Sequence, residues 1–257
     1  MKHIITSLLL LCAFYGNSQL LYLEEDDFEV KYYPKRIEEV NRLIAGDSTE
    51  ISYYYHRANM KYKLKEYQKC IDDYRLILQK FGEKQEAFAN MGMSYCFLND
   101  SARSISNMKK AVSMNLSYAR NHLNLGFIYL YFNQYTAAIP SLEQAVALDK
   151  TFAKAFYYLG YAYLMTGNFE KARTNLSKSI SLAEYNPEGF YNLGVLSYKQ
   201  GHYSEAAEHL SKALEYRPSL SSRKELFLMR GESYKQIGEA EKAKRDFETA
   251  EKLPVTN

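Results

Sequence analysis

The chain has no tryptophan, five prolines, three cysteines and a net charge of only +3, and each scarcity removes a class of explanation. Cysteines at 12, 70 and 96 are too few for a disulfide framework. The small net charge, with no dense basic run beyond helical patches such as Lys61, Lys63, Lys65 and Lys69, speaks against a polyanionic partner. No nucleic acid is expected to bind. There is no HExxH, no CxxC, no phosphate-cradling glycine loop and no nucleophile elbow. His202 and His209 are seven apart and can share a helix face, but no cysteine or carboxylate at ligand spacing completes a metal site. The sequence offers no catalytic constellation, and no cofactor or metal is expected.

Long apolar runs are also scarce. The exception is Ile4 to Tyr15, which follows the basic start Met1-Lys2-His3 and precedes Gly16-Asn17-Ser18-Gln19. A short basic start, an apolar stretch and small residues make a secretory signal over residues 1–19, cleaved after Ser18 or Gln19. The run is too short for a comfortable membrane span. The expectation is an exported protein, periplasmic or secreted, with no stable span once the leader is removed. Retention of the leader as an anchor is the alternative. Residues 20–50 form an arm and a capping helix. The arm carries the acidic cluster Glu24-Glu25-Asp26-Asp27, and the helix spans Lys35 to Ala45 between Pro34 and Gly46.

What is abundant is tyrosine, with 25 copies, and what is regular is a period. Small residues at Ala58, Gly92, Gly126, Gly160 and Gly194 recur every 34 residues, and Gly231 follows after 37. In the same phase stand Cys70, Ser104, Ala138, Ala172, Ala206 and Ala243, then the large Tyr74, Met108, Leu142, Leu176, Leu210 and Phe247. Spacings of three and four place these on one helical face, and small residues let a second helix approach a first. Gly167, Gly201 and Gly238 fall between the paired helices, where Lys65, Asn99 and Asn133 stand in the earlier units. Gly and Asn tolerate the left-handed backbone of a helix C-terminus. Pro140 fits poorly inside a second helix and predicts a late start or a kink around 136–140. Cys70 takes a small-residue packing site, while Cys96, on a first helix, is expected to be more exposed. Asn115-Leu116-Ser117 and Asn175-Leu176-Ser177 match the glycosylation triplet, but Leu176 is a packing residue, which makes the second a poor acceptor.

This pattern resembles the tetratricopeptide repeat family, whose unit is a 34-residue helix-turn-helix. The resemblance covers about four-fifths of the chain. It implies an all-α, right-handed superhelical solenoid of about six repeats over 51–257: 51–84, 85–118, 119–152, 153–186, 187–220 and 224–257. In such proteins the first helix of each hairpin lines a concave groove. The groove-facing places fall here on Tyr55, Tyr62, Phe127, Tyr131, Tyr157, Tyr161, Tyr191 and Tyr198, with Arg120 and Lys154 among the flanking charges. Asn90, Asn124 and Asn192 match a frequent asparagine place, and Asn59 and Asn90 sit where a carboxylate clamp would have its two asparagines. The clamp's basic places are filled by Tyr55, Leu123 and Phe127, which argues against that clamp. The expectation is a non-catalytic scaffold that binds a protein or peptide. A structural subunit of an envelope assembly, or an aromatic-groove binder of a glycan or small ligand, are the alternatives.

Overall fold

The computed structural model describes residues 30–183, 186–216 and 223–253. The expected leader, most of the arm, and the loop around the three-residue insertion lie outside the described residues. The described residues are helical, with short connections. After α1 (Tyr33–Gly46) come paired helices: α2 (Ile51–Lys63) with α3 (Tyr67–Phe81), α4 (Gln85–Phe97) with α5 (Ser101–Met114), and α6 (Ala119–Tyr131) with α7 (Tyr135–Leu148). Then follow α8 (Ala153–Met165) with α9 (Phe169–Leu182), α10 (Pro187–Lys199) with α11 (Tyr203–Tyr216), and α12 (Arg223–Gln236) with α13 (Ala240–Lys252). The chain divides into two compact units, one ending at Leu148 and one continuing from Asp149.

The helix ends are written into the sequence. Side chains of Glu50, Asp100, Asn168 and Asn186 accept backbone N–H bonds from the first turns of α2, α5, α9 and α10. Each satisfies one of the donors a helix start leaves without a partner. Pro187 opens α10, where a missing N–H costs nothing. The end of each first helix repeats one geometry. Lys65, Asn99, Asn133, Gly167, Gly201 and Gly238 all have positive φ. The next residue's N–H then bonds five residues back: Glu66 to Lys61, Asp100 to Tyr95, Gln134 to Tyr129, Asn168 to Tyr163, His202 to Ser197 and Glu239 to Tyr234, at 2.8–2.9 Å. This closure turns the chain sharply and aims the second helix back along the first.

The pairing explains the small-residue period. At Gly160 an added Cβ would lie 2.7 Å from Leu176 Cγ and 2.9 Å from its backbone nitrogen. Gly194 stands in the same relation to Leu210, and Gly231 to Phe247. The small residue of one helix is thus the seat of the large residue sixteen positions on. Leu142, Leu176 and Leu210 are fully buried there, as is Tyr74 against Ala58 in the first hairpin.

Within the first unit, α1 packs on α2, α3 on α4 and α5 on α6. Within the second, α9 packs on α10 and α11 on α12. α1 packs against α2, and Arg57 of α2 donates to Asn41 Oδ1 across that contact at 2.7 Å. Of the late start or kink expected at Pro140, the late start does not occur: α7 begins at Tyr135 and runs through Pro140. Pro140 and Thr136 are exposed, so water can reach the carbonyl that the ring deprives of its partner. One expectation is corrected: Cys96 is as fully buried as Cys70. No described helix is long and apolar enough to cross a membrane.

Candidate functional site

The side chains expected to line a binding face divide by burial. In the first unit Tyr62 and Phe127 are interior, 8% and 3% exposed, and in the second Tyr161 is 2% exposed. These three are corrected from surface to core: each lies on the side of its helix that neighbouring helices cover. Tyr55, Tyr131, Arg120, Tyr157, Tyr191, Tyr198 and Lys154 remain half-buried, each with part of its side chain in reach of solvent.

In the first unit the half-buried rings gather where first helices turn into second helices. Tyr67, at the start of α3, stacks on Phe97, at the end of α4, with centroids 5.2 Å apart. Phe97 meets Tyr131, at the end of α6, edge-on at 6.1 Å. Tyr131 in turn contacts Phe132 at 5.2 Å and the buried Phe127 at 6.2 Å. Tyr62 supports the row from beneath, edge-on to both Tyr67 (5.4 Å) and Phe97 (5.9 Å). The result is a ladder of rings crossing three hairpins, in the edge and offset geometries that aromatic quadrupoles favour. Leu98, 42% exposed, extends its apolar surface. Burial raises the pKa of the Tyr67 and Tyr131 hydroxyls above the ordinary tyrosine range, so both keep their protons.

The sequence reading found Tyr62, Phe127 and Tyr131 but missed Tyr67, Phe97 and Phe132. The missed positions have a signal of their own. Tyr67, Tyr135, Phe169 and Tyr203 open second helices in one phase, and the Tyr62–Tyr67 contact has its counterpart in Tyr198–Tyr203 at 5.6 Å. Tyr55 stands apart from the ladder, edge-on to Tyr74 at 5.9 Å, its pKa pushed up to about 12 by burial and then by the charge of Glu86. The asparagines flanking it, Asn59 and Asn90, serve a hydroxyl. Tyr74 Oη donates to Asn59 Oδ1 at 2.7 Å and accepts from Asn90 Nδ2 at 2.8 Å, joining the first two hairpins.

The second unit uses its candidates differently. Tyr157 accepts a hydrogen bond from Asn192 Nδ2 at 3.3 Å and packs on Tyr158 at 5.3 Å. Lys154 places its ammonium 5.7 Å from the Tyr158 ring. Tyr191 packs on the cluster of Leu210, Ala213 and Leu226. Tyr198 is raised above its ordinary pKa by burial and then by Glu232. Tyr157 thereby joins α8 to α10, and Tyr191 joins α10 to α11 and α12.

Among the described residues, no group of three or more His, Cys, Asp or Glu is placed to hold a metal ion. Cys70 and Cys96 are free, buried thiols whose pKa values burial pushes up to about 12, far from a reactive thiolate.

The tetratricopeptide repeat family matches residues 153–186 and 187–220, a TPR repeat matches 128–167, and a further tetratricopeptide repeat matches 225–254. No curated protein sequence matches the chain. Among solved structures, it resembles the C-terminal part of a TPR repeat-containing protein of Cytophaga hutchinsonii, 22% identical, covering 90% of this chain and 95% of that one with a TM-score of 0.68. PilW, a type IV pilus biogenesis factor, is 20% identical over 75% of this chain and 89% of its own, with a TM-score of 0.66. YrrB, described as a TPR protein with an unusual peptide-binding site, is 20% identical over 71% of this chain and 94% of its own, with a TM-score of 0.57. Tetratricopeptide repeat models thus match residues 128–220 and 225–254, and the hairpin geometry that recurs through the described residues agrees with them.

Proposed function

We propose that this protein is a non-catalytic scaffold that binds a protein or peptide segment, and that it does so in an exported or cell-envelope setting. The observation that carries the binding reading is the aromatic ladder Tyr67–Phe97–Tyr131–Phe132. Its rings touch each other across hairpins, remain half-open to solvent, and adjoin the exposed Leu98. Tyrosine and phenylalanine give large contact area with only two side-chain torsions to freeze, which suits them to anchoring a partner. A peptide-binding site is described for YrrB, and a role in pilus biogenesis for PilW. The exported setting rests on the leader-like first nineteen residues, and the PilW resemblance is in keeping with it.

Selection from a displayed random-peptide library on the full-length protein tests the binding reading. Enriched peptides should bind with micromolar or tighter affinity, and Phe132→Ala with Tyr131→Ala should weaken them at least tenfold while thermal stability changes little. Peptides that bind the double variant as well as wild type would remove the ladder from the function. The exported setting has its own check: expression in the native host followed by N-terminal sequencing. It predicts a mature start at Gln19 or Leu20, and an intact cytoplasmic Met1 would refute it.

A further inference from the structure

Phe97 is the ring on which three tyrosines meet. Tyr62 and Tyr67 of the first hairpin and Tyr131 of the third all contact it, at centroid distances of 5.9, 5.2 and 6.1 Å. Their hydroxyls converge as well. Burial first, and then the nearby Tyr67 hydroxyl, hold the Tyr62 pKa well above the ordinary tyrosine value, and Tyr67 is raised in the same way by burial and then by Tyr131. None of the three hydroxyls has a hydrogen-bond partner among the described residues. The buried Tyr54, Tyr74 and Tyr95 of the same unit are paired: Tyr54 Oη donates to the Ser48 carbonyl at 3.1 Å, Tyr74 Oη donates to Asn59 Oδ1 at 2.7 Å, and Tyr95 Oη accepts from Arg75 at 2.7 Å.

Tyr62 is the telling member. The residue is 8% exposed, yet its hydroxyl is unpaired and still reaches solvent at the edge of Tyr67 and Phe97. Burying a hydroxyl without a partner costs stability. Packing does not require that oxygen. The same place in the next two hairpins is filled by Cys96 and Leu130, both buried and neither a phenol. A phenylalanine at 62 would keep the ring contacts and avoid the cost, so the hydroxyl is explained by a ligand that enters from the solvent side.

We infer that these hydroxyls hold a neutral oxygen acceptor of the docked segment: a carbonyl of an uncharged, apolar stretch of peptide. The O–H groups of Tyr62, Tyr67 and Tyr131 converge on that oxygen as donors, and the apolar side chains on either side of it lie on Phe97, Phe132 and Leu98. The three phenols bring no positive charge. A carboxylate drawn into this half-buried place would lose water without gaining an opposite charge, whereas a carbonyl loses less water and keeps its hydrogen bond. The rings supply contact area. The hydroxyls supply register, fixing which residue of the segment sits at Phe97. This deepens the reading of the ladder as the binding surface and rests on it.

The test uses the full-length chain and the tightest peptide from the library selection, synthesised with acetylated and amidated ends. Tyr62→Phe, Tyr67→Phe and Tyr131→Phe each keep the ring and remove only the hydroxyl. Calorimetry should show binding weakened about two- to fivefold by each single change and about twenty-five-fold by the triple variant, since a carbonyl oxygen has two lone pairs to share among three donors. The melting temperature of Tyr62→Phe should stay at or above that of wild type, because an unpaired hydroxyl leaves the interior. If the triple variant fails to fold, Tyr131→Phe, at the surface, carries the test with its own loss of at least about twofold. Replacing the peptide amides one at a time by thioamides, which are weaker acceptors, should find one position that weakens binding to wild type and leaves the triple variant unaffected. Unchanged binding by the phenylalanine variants would overturn the inference, while the loss in Phe132→Ala with Tyr131→Ala would leave the ladder intact. Selected peptides that owe tenfold or more of their affinity to an Asp or Glu, read by its change to Asn or Gln, would overturn the neutral acceptor. A library that yields no binder would overturn the ladder reading and this inference together.

Discussion

Arg57 and Arg230 occupy the same place in the first and last hairpins and make the same contact. Each guanidinium grips an aspartate sixteen residues on: Asp73 at 2.7 and 3.1 Å, and Asp246 at 2.7 and 2.8 Å. The intervening hairpins have Met91, Leu125, Leu159 and Leu193 in the arginine's place. Asp73 and Asp246 are each only 4% exposed. Removing one partner of such a pair strands the other, at a cost toward the lower end of the roughly 3–5 kcal/mol seen for buried pairs, because the arginines keep some contact with water. Asp246→Ala should therefore shift the urea midpoint strongly downward, while Asp72→Ala, on the exposed face of α3, should leave it within experimental scatter. His209 gives a pH dependence of definite sign. Burial holds its pKa below the ordinary histidine value, against the pull of Glu205, which Arg173 also holds. The folded state thus takes up a proton less readily than the unfolded chain, so stability is lost as pH falls below about 6.5 toward the folded value. His209→Gln should flatten that part of the profile between pH 7 and 5. An unchanged slope would assign the acid sensitivity elsewhere.

At the scale of the helix, the repeat holds because a small residue on one member admits a large residue of the other. Gly160→Ala would press a methyl against Leu176 and its backbone nitrogen. Overpacking of this kind costs about 1–3 kcal/mol, which should appear as a lower melting temperature with little loss of helix signal. Lys65→Gly should do the opposite, raising stability by about 0.5–1 kcal/mol through relief of its left-handed backbone. The helical scaffold was legible in the sequence for the same reason. Small residues, large partners and turn residues recur in one phase, and each has a single physical task. Burial of individual aromatics was not legible to the same degree. Tyr62 and Tyr131 both sit near the end of a first helix, yet one supports the ladder from beneath and the other forms its surface. That difference arises from neighbouring hairpins, through Tyr67 and Phe97, and a pattern read within one hairpin cannot carry it. Pro140 does not delay the start of α7, and its exposure on that helix is a placement the pattern within one hairpin cannot carry.

At the scale of the molecule, the proposed role makes the chain a frame whose surface side chains meet a partner. Cys70 and Cys96 are buried, so both should resist alkylation at pH 8 for hours in the native state and react within minutes in denaturant, as mass spectrometry of the two tryptic peptides would report. The central claim is that the ladder is where a partner docks. A photo-crosslinking phenylalanine analogue at Phe132, installed in the full-length protein in its native host, tests it most directly, with the same analogue at Arg245 on the exposed face of α13 as the control. The account predicts a discrete crosslinked partner from position 132 and none from 245. A partner captured from 245 and absent from 132 would contradict it.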